Sequence, residues 1–197
     1  MLIAIEGPNC SGKTTIINKI ADHLKMKYSI YITKEPTNDW FGDILRVSED
    51  RFNPMTYMFL ITANRSEHNY NEIIPNMDKI ILCDRYIASS LALQSSQGIP
   101  IDFIWDVNKK FIMPDITIFL SAPPQELKLR LEKRNNKSYF ENYLSREQEI
   151  QLYKKAYEYM KEKNMKVWWL ENGKENITVN YRKIIKLIEE EKNEKKY

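Results

Sequence analysis

"GPNCSGKT", residues Gly7–Thr14, is the stretch whose reading decides the fold. The chain has five glycines in 197 residues, and two of them, Gly7 and Gly12, frame the first part of this stretch. Lys13, Thr14 and Thr15 follow directly. Upstream, Leu2-Ile3-Ala4-Ile5 is a short unbroken apolar run, as expected of a strand buried on both faces. Downstream, Ile16, Ile17, Ile20, Ala21 and Leu24 keep helical spacing. Strand, glycine-framed turn and helix in that order make Gly7-x-x-x-x-Gly12-Lys13-Thr14 the phosphate-loop pattern. The glycines let the backbone turn tightly and approach phosphate oxygens with no Cβ in the way. Main-chain N–H groups then point inward, and the start of the helix adds its positive end. Lys13 offers a point charge to the terminal phosphates of ATP, and Thr14 a hydroxyl to Mg²⁺.

Helical and extended patterns alternate along the rest of the chain. Tyr28 to Thr33, Ile80 to Cys83, Ile116 to Leu120 and Val167 to Leu170 read as strands. A helix is expected from Pro54 to about Ile74, closed by Pro75. Further helices are marked by Phe103, Ile104, Val107 and Phe111, and by Pro123-Pro124 leading to about Arg134. Ile150, Tyr153, Tyr157 and Met160 mark another, and Tyr181, Ile184, Ile185 and Ile188 the last. Strands separated by helices of this length imply parallel pairing through right-handed crossovers. The expectation is a three-layer α/β fold, a five-stranded parallel sheet flanked by helices. Residues 1–197 read as a single domain without repeat or linker, and "EEEKNEKKY" as a solvated helix end.

Composition narrows the function classes. Hydrophobic residues make up 43% and charged residues 29%, as in soluble globular proteins. A net charge of +3 is too small to imply a nucleic-acid partner. No apolar run is long enough to span a bilayer, and "MLIAIEGP" lacks the features of a secretion signal. With two cysteines, Cys10 and Cys83, a reducing cytoplasm is expected. His23 and His68 are the only histidines, and no ligand spacing for a protein-built metal site is present.

A phosphate loop does not by itself separate kinases, GTPases and motor ATPases. Asn18-Lys19 and Asn108-Lys109 lack the Asp that guanine reading needs. Asp39-Trp-Phe-Gly42 resembles a switch element, but no strand leads into it. Asp84-Arg85-Tyr86 is more informative, because it ends a buried strand. There a carboxylate can hold a Mg²⁺-bound water, and an arginine offers a planar fork to a phosphate. The plainer alternative is a surface ion pair at a strand end.

These motifs together resemble the thymidylate kinase family. Glu6-Gly7…Gly12-Lys13-Thr14-Thr15, Lys34-Glu35-Pro36-Thr37, Thr62-Ala63-Asn64-Arg65 and Asp84-Arg85-Tyr86…Ser89-Ser90-Leu91-Ala92 stand in the family's order and spacing. So do Pro114-Asp115-Ile116-Thr117-Ile118 and Phe140-Glu141-Asn142. The resemblance implies a nucleoside monophosphate kinase, moving the ATP γ-phosphate to a deoxynucleoside monophosphate with Mg²⁺ bridging. It implies dTMP to dTDP first, and a homodimer. By motif match the ATP side comprises Gly7, Pro8, Asn9, Cys10, Ser11, Gly12, Lys13, Thr14 and Thr15, with Arg130, Asn172 and Lys174. Mg²⁺ falls to Thr14 and Asp84, partly through water. The acceptor side comprises Asn9, Glu35, Pro36, Ile61, Arg65, Arg85, Ser89, Ser90, Leu93 and Gln94. Lys13 would contact the β and γ phosphates, Arg85 the acceptor phosphate, and Arg65 would reach toward the base. Residues near 133–143 would form a lid. Family members carry the transition-state arginine in the phosphate loop or in the lid; Pro8 to Ser11 contain none, so the resemblance implies the lid, with Arg134 first and Arg130 second.

Three positions depart from the family pattern: Asn9 replaces a carboxylate, Ile61 a phenylalanine, and Leu93 a tyrosine or phenylalanine. All three bear on the acceptor. Other readings therefore stay open: a different deoxynucleoside monophosphate, a deoxynucleoside, or a nucleotide-binding protein without turnover. Trp40-Phe41 is a candidate cover for the acceptor pocket, with core or dimer packing as the alternative, while Trp168-Trp169 reads as core. Cys10, beside a helix N-terminus, is either a reactive thiol or a small loop residue.

Overall fold

Five short apolar runs become five strands, β1 Leu2–Glu6, β2 Ile30–Lys34, β3 Ile80–Asp84, β4 Ile116–Ser121 and β5 Val167–Glu171. In this computed structural model, which describes residues 1–133, 139–173 and 176–194, they form one parallel sheet in the order β2-β3-β1-β4-β5. The α/β architecture is the one expected. Helices α1 Lys13–Leu24 and α9 Ile177–Glu194 cover one face of the sheet, and α4 Ile87–Ser96, α5 Ile101–Asn108 and α8 Arg146–Glu162 the other. The central strands are buried on both faces, and alternate residues serve the two layers. Ile3, Ile5, Ile80 and Leu82 pack with Ile16, Ile17, Ile20 and Ile184. Leu2, Ala4, Ile81 and Cys83 pack with Leu91, Ala92, Tyr153 and Met160.

Helices α2 Trp40–Arg46, α3 Pro54–His68, α6 Pro124–Glu132 and α7 Tyr139–Tyr143 complete the set. The helix expected to run from Pro54 to Ile74 is broken into pieces. After α3 the chain makes a π-helical turn over Asn69–Ile73 and a 3₁₀ turn over Ile74–Asn76. Pro75 lacks an N–H and crowds the preceding turn, so the regular ladder cannot continue through it. Helix α4 gives no amphipathic signal because it is buried nearly all round, from Ile87 to Ala92 and again at Gln94. The tryptophans expected in the core are half-buried, because β5 is an edge strand. Trp169 stacks on Phe119 with ring centres 6.0 Å apart. Asp39 is the N-cap of α2, accepting from the Gly42 N–H at 2.9 Å.

The loops after β1 and β3 leave the same end of two adjacent central strands. In open α/β sheets this is where ligands bind. Tyr86 fixes the second loop: its hydroxyl donates to the Ile112 carbonyl at 3.0 Å and accepts from Asn69 Nδ2 at 2.8 Å. Tyr86→Phe takes the donor from the Ile112 carbonyl and one of two acceptors from Asn69 Nδ2, which keeps the Arg65 carbonyl at 2.9 Å. It should lower unfolding free energy by about 1–3 kcal/mol. The check is a lower urea midpoint with an unchanged slope.

Candidate active site

The turn after β1 is forced by contacts as well as by backbone angles. A Cβ on Gly7 (φ 133°) would stand 2.0 Å from the Leu120 carbonyl oxygen of β4. Gly12 (φ 93°) would meet the Asn172 side chain at 2.6 Å. Asn172, fully buried after β5, donates Nδ2 to the Ser11 carbonyl at 2.8 Å and supports the loop from beneath. Arg130 on α6 donates to the Cys10 carbonyl at 3.1 Å, to the Asn172 carbonyl at 3.3 Å and to Glu126 at 2.8 Å. Cys10 itself takes a left-handed backbone (φ 64°).

Lys13 crosses this turn, donating to the carbonyls of Gly7 at 3.0 Å and Pro8 at 2.9 Å. Burial, and then the neighbouring Arg85, pull its ammonium down to about 8, against the opposing pull of Asp84, Glu149 and Glu6. Thr14 Oγ1 donates to Asp84 Oδ2 at 2.7 Å, so the hydroxyl and carboxylate expected at a Mg²⁺ already stand together.

Arg85 follows in a left-handed conformation (φ 70°) uncommon for a non-glycine residue. Its guanidinium donates to the Gly7 carbonyl at 3.3 Å, Ser89 Oγ at 3.1 Å, Asn9 Oδ1 at 2.7 Å and the Tyr153 hydroxyl. Beneath it, Glu6 accepts from the Tyr86 N–H at 2.7 Å and from Ser89 Oγ at 2.6 Å. Burial raises the Glu6 carboxyl above its usual range, against the lowering by Ser89 and Arg85. Burial also raises the Tyr153 phenol, against Arg85.

Two cavities meet at these residues. The first, of about 480 Å³, is lined by Asn9, Cys10 and the stretch from Gly12 to Thr15, by Asp84 and Arg85, and by Arg130 and Ile177, while Ser11 is fully buried behind them. The second, of about 570 Å³, is lined by Asn9, Glu35, Pro36, Ile61, Arg65, Arg85, Ser89, Ser90, Leu93 and Gln94. Asn9, Thr14, Asp84 and Arg85 border both.

Matches to known proteins agree with this geometry. The thymidylate kinase family model matches residues 5–181. The chain belongs to the thymidylate kinase family. A probable thymidylate kinase from Caldivirga maquilingensis is 36% identical over 163 residues, covering 77% of this chain and 79% of its own. One from Thermococcus kodakarensis is 29% identical over 204 residues, covering 96% and 97%. A crystal structure of a thymidylate kinase from Ehrlichia chaffeensis has the same fold, with a TM-score of 0.72, 24% identity, and 96% and 98% coverage. Thymidylate kinases are ATP-dependent phosphotransferases, and this chain carries the family's phosphate loop and Asp-Arg-Tyr motif on its central strands.

Within this family site, Arg65 differs most from its expected setting. It is 1% exposed. Its guanidinium donates to Glu35 at 2.5 and 2.9 Å, to the Tyr86 carbonyl and Ser90 Oγ at 3.1 Å each, and to Asn108 Oδ1. It lines the second cavity from beneath. His68 Nδ1 lies 3.0 Å from Glu35, and its Nε2 2.8 Å from Thr33. Burial opposes charge on Glu35, yet Arg65 and His68 hold its carboxyl below the usual range. Trp40 is 73% exposed, stacked on Phe41, and lines neither cavity. Arg134 and Lys174 lie outside the described residues, as does part of the expected lid. Phe140, quoted above with the family motifs, lines the second cavity; Tyr57, Glu149 and Tyr153 also build the site and were not picked out for it by their spacing. Tyr153 and Glu149 look like ordinary helix positions; only the fold turns them toward the loop.

The charge on Lys13 sets a pH limit. Lysine is charged below its pKa, so the free protein loses this cation as pH rises through about 8. Bound phosphate stabilises the charged form. The kcat/KM for ATP should therefore show a basic limb near pH 8, and kcat a limb at higher pH. Rate profiles from pH 6.5 to 10 at low and saturating ATP test this.

Proposed function

We propose that the protein transfers the γ-phosphoryl group of ATP to the 5′-phosphate of dTMP, forming dTDP. The observation that carries this reading is the shared wall of the two cavities. Asn9, Thr14, Asp84 and Arg85 border both, so two phosphate groups bound on either side would face each other across them. A monophosphate acceptor brings its own anionic nucleophile, so no general base is needed. Of the three carboxylates that line the acceptor cavity, Glu35, Glu49 and Asp84, Glu35 is bound to Arg65 and His68 and Asp84 accepts from Thr14. The Arg85 guanidinium on the cavity wall favours a nucleotide over a deoxynucleoside as acceptor.

The loop amides and Lys13 would hold the donor phosphates, and Arg85 the acceptor phosphate. Mg²⁺ would supply charge neutralisation across the β and γ phosphates, and Thr14 and Asp84 suit it as oxygen ligands, direct or through water. Arg134 is proposed as the transition-state cation, because the Arg130 guanidinium already serves Cys10, Asn172 and Glu126. For the base, Gln94 is 3% exposed, lines the acceptor cavity, and has no partner for Oε1 among the described residues. An acceptor oxygen there fits the N3–H of thymine. Pro36, Ile61, Leu93 and Phe140 give the cavity apolar walls suited to its methyl group. A homodimer is proposed through α3 and α5, where Phe59 and Phe103 are exposed and meet edge-to-face at 6.3 Å.

Acceptor-dependent ADP formation across dTMP, dUMP, dCMP, dGMP, thymidine and the ribonucleotides tests the assignment. dTMP should give the highest kcat/KM, and thymidine none. A higher kcat/KM for dCMP or dGMP would overturn it. Arg134→Ala should lower kcat by roughly 10³-fold with dTMP binding retained. Arg130→Ala should chiefly lower the melting temperature and weaken ATP binding.

A further inference from the structure

Asn9 bridges two groups of opposite charge. Its Oδ1 accepts from Arg85 Nη2 at 2.7 Å. Its Nδ2 and its backbone N–H both donate to Glu149 Oε1, at 3.1 and 2.8 Å. A guanidinium only donates and a carboxylate only accepts, so a single orientation of the amide satisfies both partners. Glu149 is fully buried, and its second oxygen accepts from Arg146 at 2.7 Å. Both residues belong to the start of α8, which is fixed by the reciprocal capping of Ser145 and Gln148.

We propose that Glu149 is a positioning residue for phosphoryl transfer: it demands a hydrogen-bond donor at position 9, aims the Asn9 carbonyl oxygen at Arg85, and so excludes aspartate there. The proposal rests on the preceding reading in one respect, that Arg85 grips the acceptor phosphate. Its logic is local. An aspartate at position 9 keeps an oxygen for Arg85 but places its other oxygen about where Nδ2 now stands. That oxygen and Glu149 Oε1 would be two acceptors at hydrogen-bond distance with no proton between them. Lys13, Arg85 and Arg146 bring positive charge nearby, and Glu6 and Asp84 negative charge. None of them restores the missing donor. The departure at position 9 is thus matched by a carboxylate on α8, and the two positions form one unit.

The test is a cycle of Asn9→Asp, Glu149→Gln and the double variant, read as KM for dTMP, KM for ATP, and melting temperature. Asn9→Asp should raise the KM for dTMP by about ten-fold or more and change the KM for ATP by less than about three-fold. Glu149→Gln should do the same. In the double variant the amide introduced on α8 can donate to the carboxylate introduced in the loop but no longer accepts the residue-9 N–H, so the KM for dTMP should recover in part and lie well below the product of the two single effects. An Asn9→Asp variant within about two-fold of the parent, or single effects that simply multiply, overturns the proposal. Should Glu149→Gln fail to fold, Asn9→Asp alone decides, because it keeps the backbone bond to Glu149. If the parent forms no ADP with any acceptor, the functional reading fails, not this one. The cycle is then read in melting temperatures, where the double variant should lose less than the sum of the two single losses.

Discussion

Arg85 sits with a positive φ at the end of a central strand, a conformation that costs on the order of 1–3 kcal/mol for a side chain other than glycine. The surroundings hold it there. The Gly7 carbonyl, Asn9, Ser89 and Tyr153 take its donors, and they come from the phosphate loop, α4 and α8. Burial alone would weaken the charge on this guanidinium, but Tyr153, Asp84, Glu149 and Glu6 reverse that and raise its pKa. A buried cation fixed from three elements is a preorganised partner for an anion. The two cavities share a wall because the loops that build them are tied through this one residue.

A second ion pair, Arg65 with Glu35, does a different job. Both side chains are nearly fully buried, and the pair is completed by His68, Ser90, Asn108 and the Tyr86 carbonyl. Removing either partner would leave an unpaired charge inside the protein, which is far costlier than the pair itself is stabilising. The pair fixes the segment after β2 against α3 and α4 and so shapes the larger of the two cavities at the site. The arginine signal in the sequence was real, but burial decides its role. Arg65 is neutralised by a buried carboxylate, so its charge serves the fold, while Gln94 has a buried oxygen without a partner among the described residues.

The phosphate loop, all five strands and their parallel arrangement were legible in the sequence, because doubly buried strands are unbroken apolar runs. Strand ends moved by one or two residues; β2 begins at Ile30 instead of Tyr28. Helix α4 was not legible, since burial on every side erases the period that marks a helix. The residues matched to the acceptor site converge on one cavity, yet their division of labour was hidden. Glu149 and Tyr153 lie one helical turn apart within α8, and no local pattern separates them from Tyr157 or Lys154. Their role depends on which face of α8 meets the loop, and that is a property of packing.

Helix α8 carries Glu149, Tyr153, Ala156 and Met160 along one buried side. The first two hold the catalytic loops, and Tyr153, Ala156 and Met160 are set into the main core layer. The same rod therefore serves as scaffold and as interior. Such a site has no separate cooperative unit to loosen while the rest stays intact. On warming, catalysis and the native sheet should fail together, and exchange of loop amides with solvent should be governed by global opening.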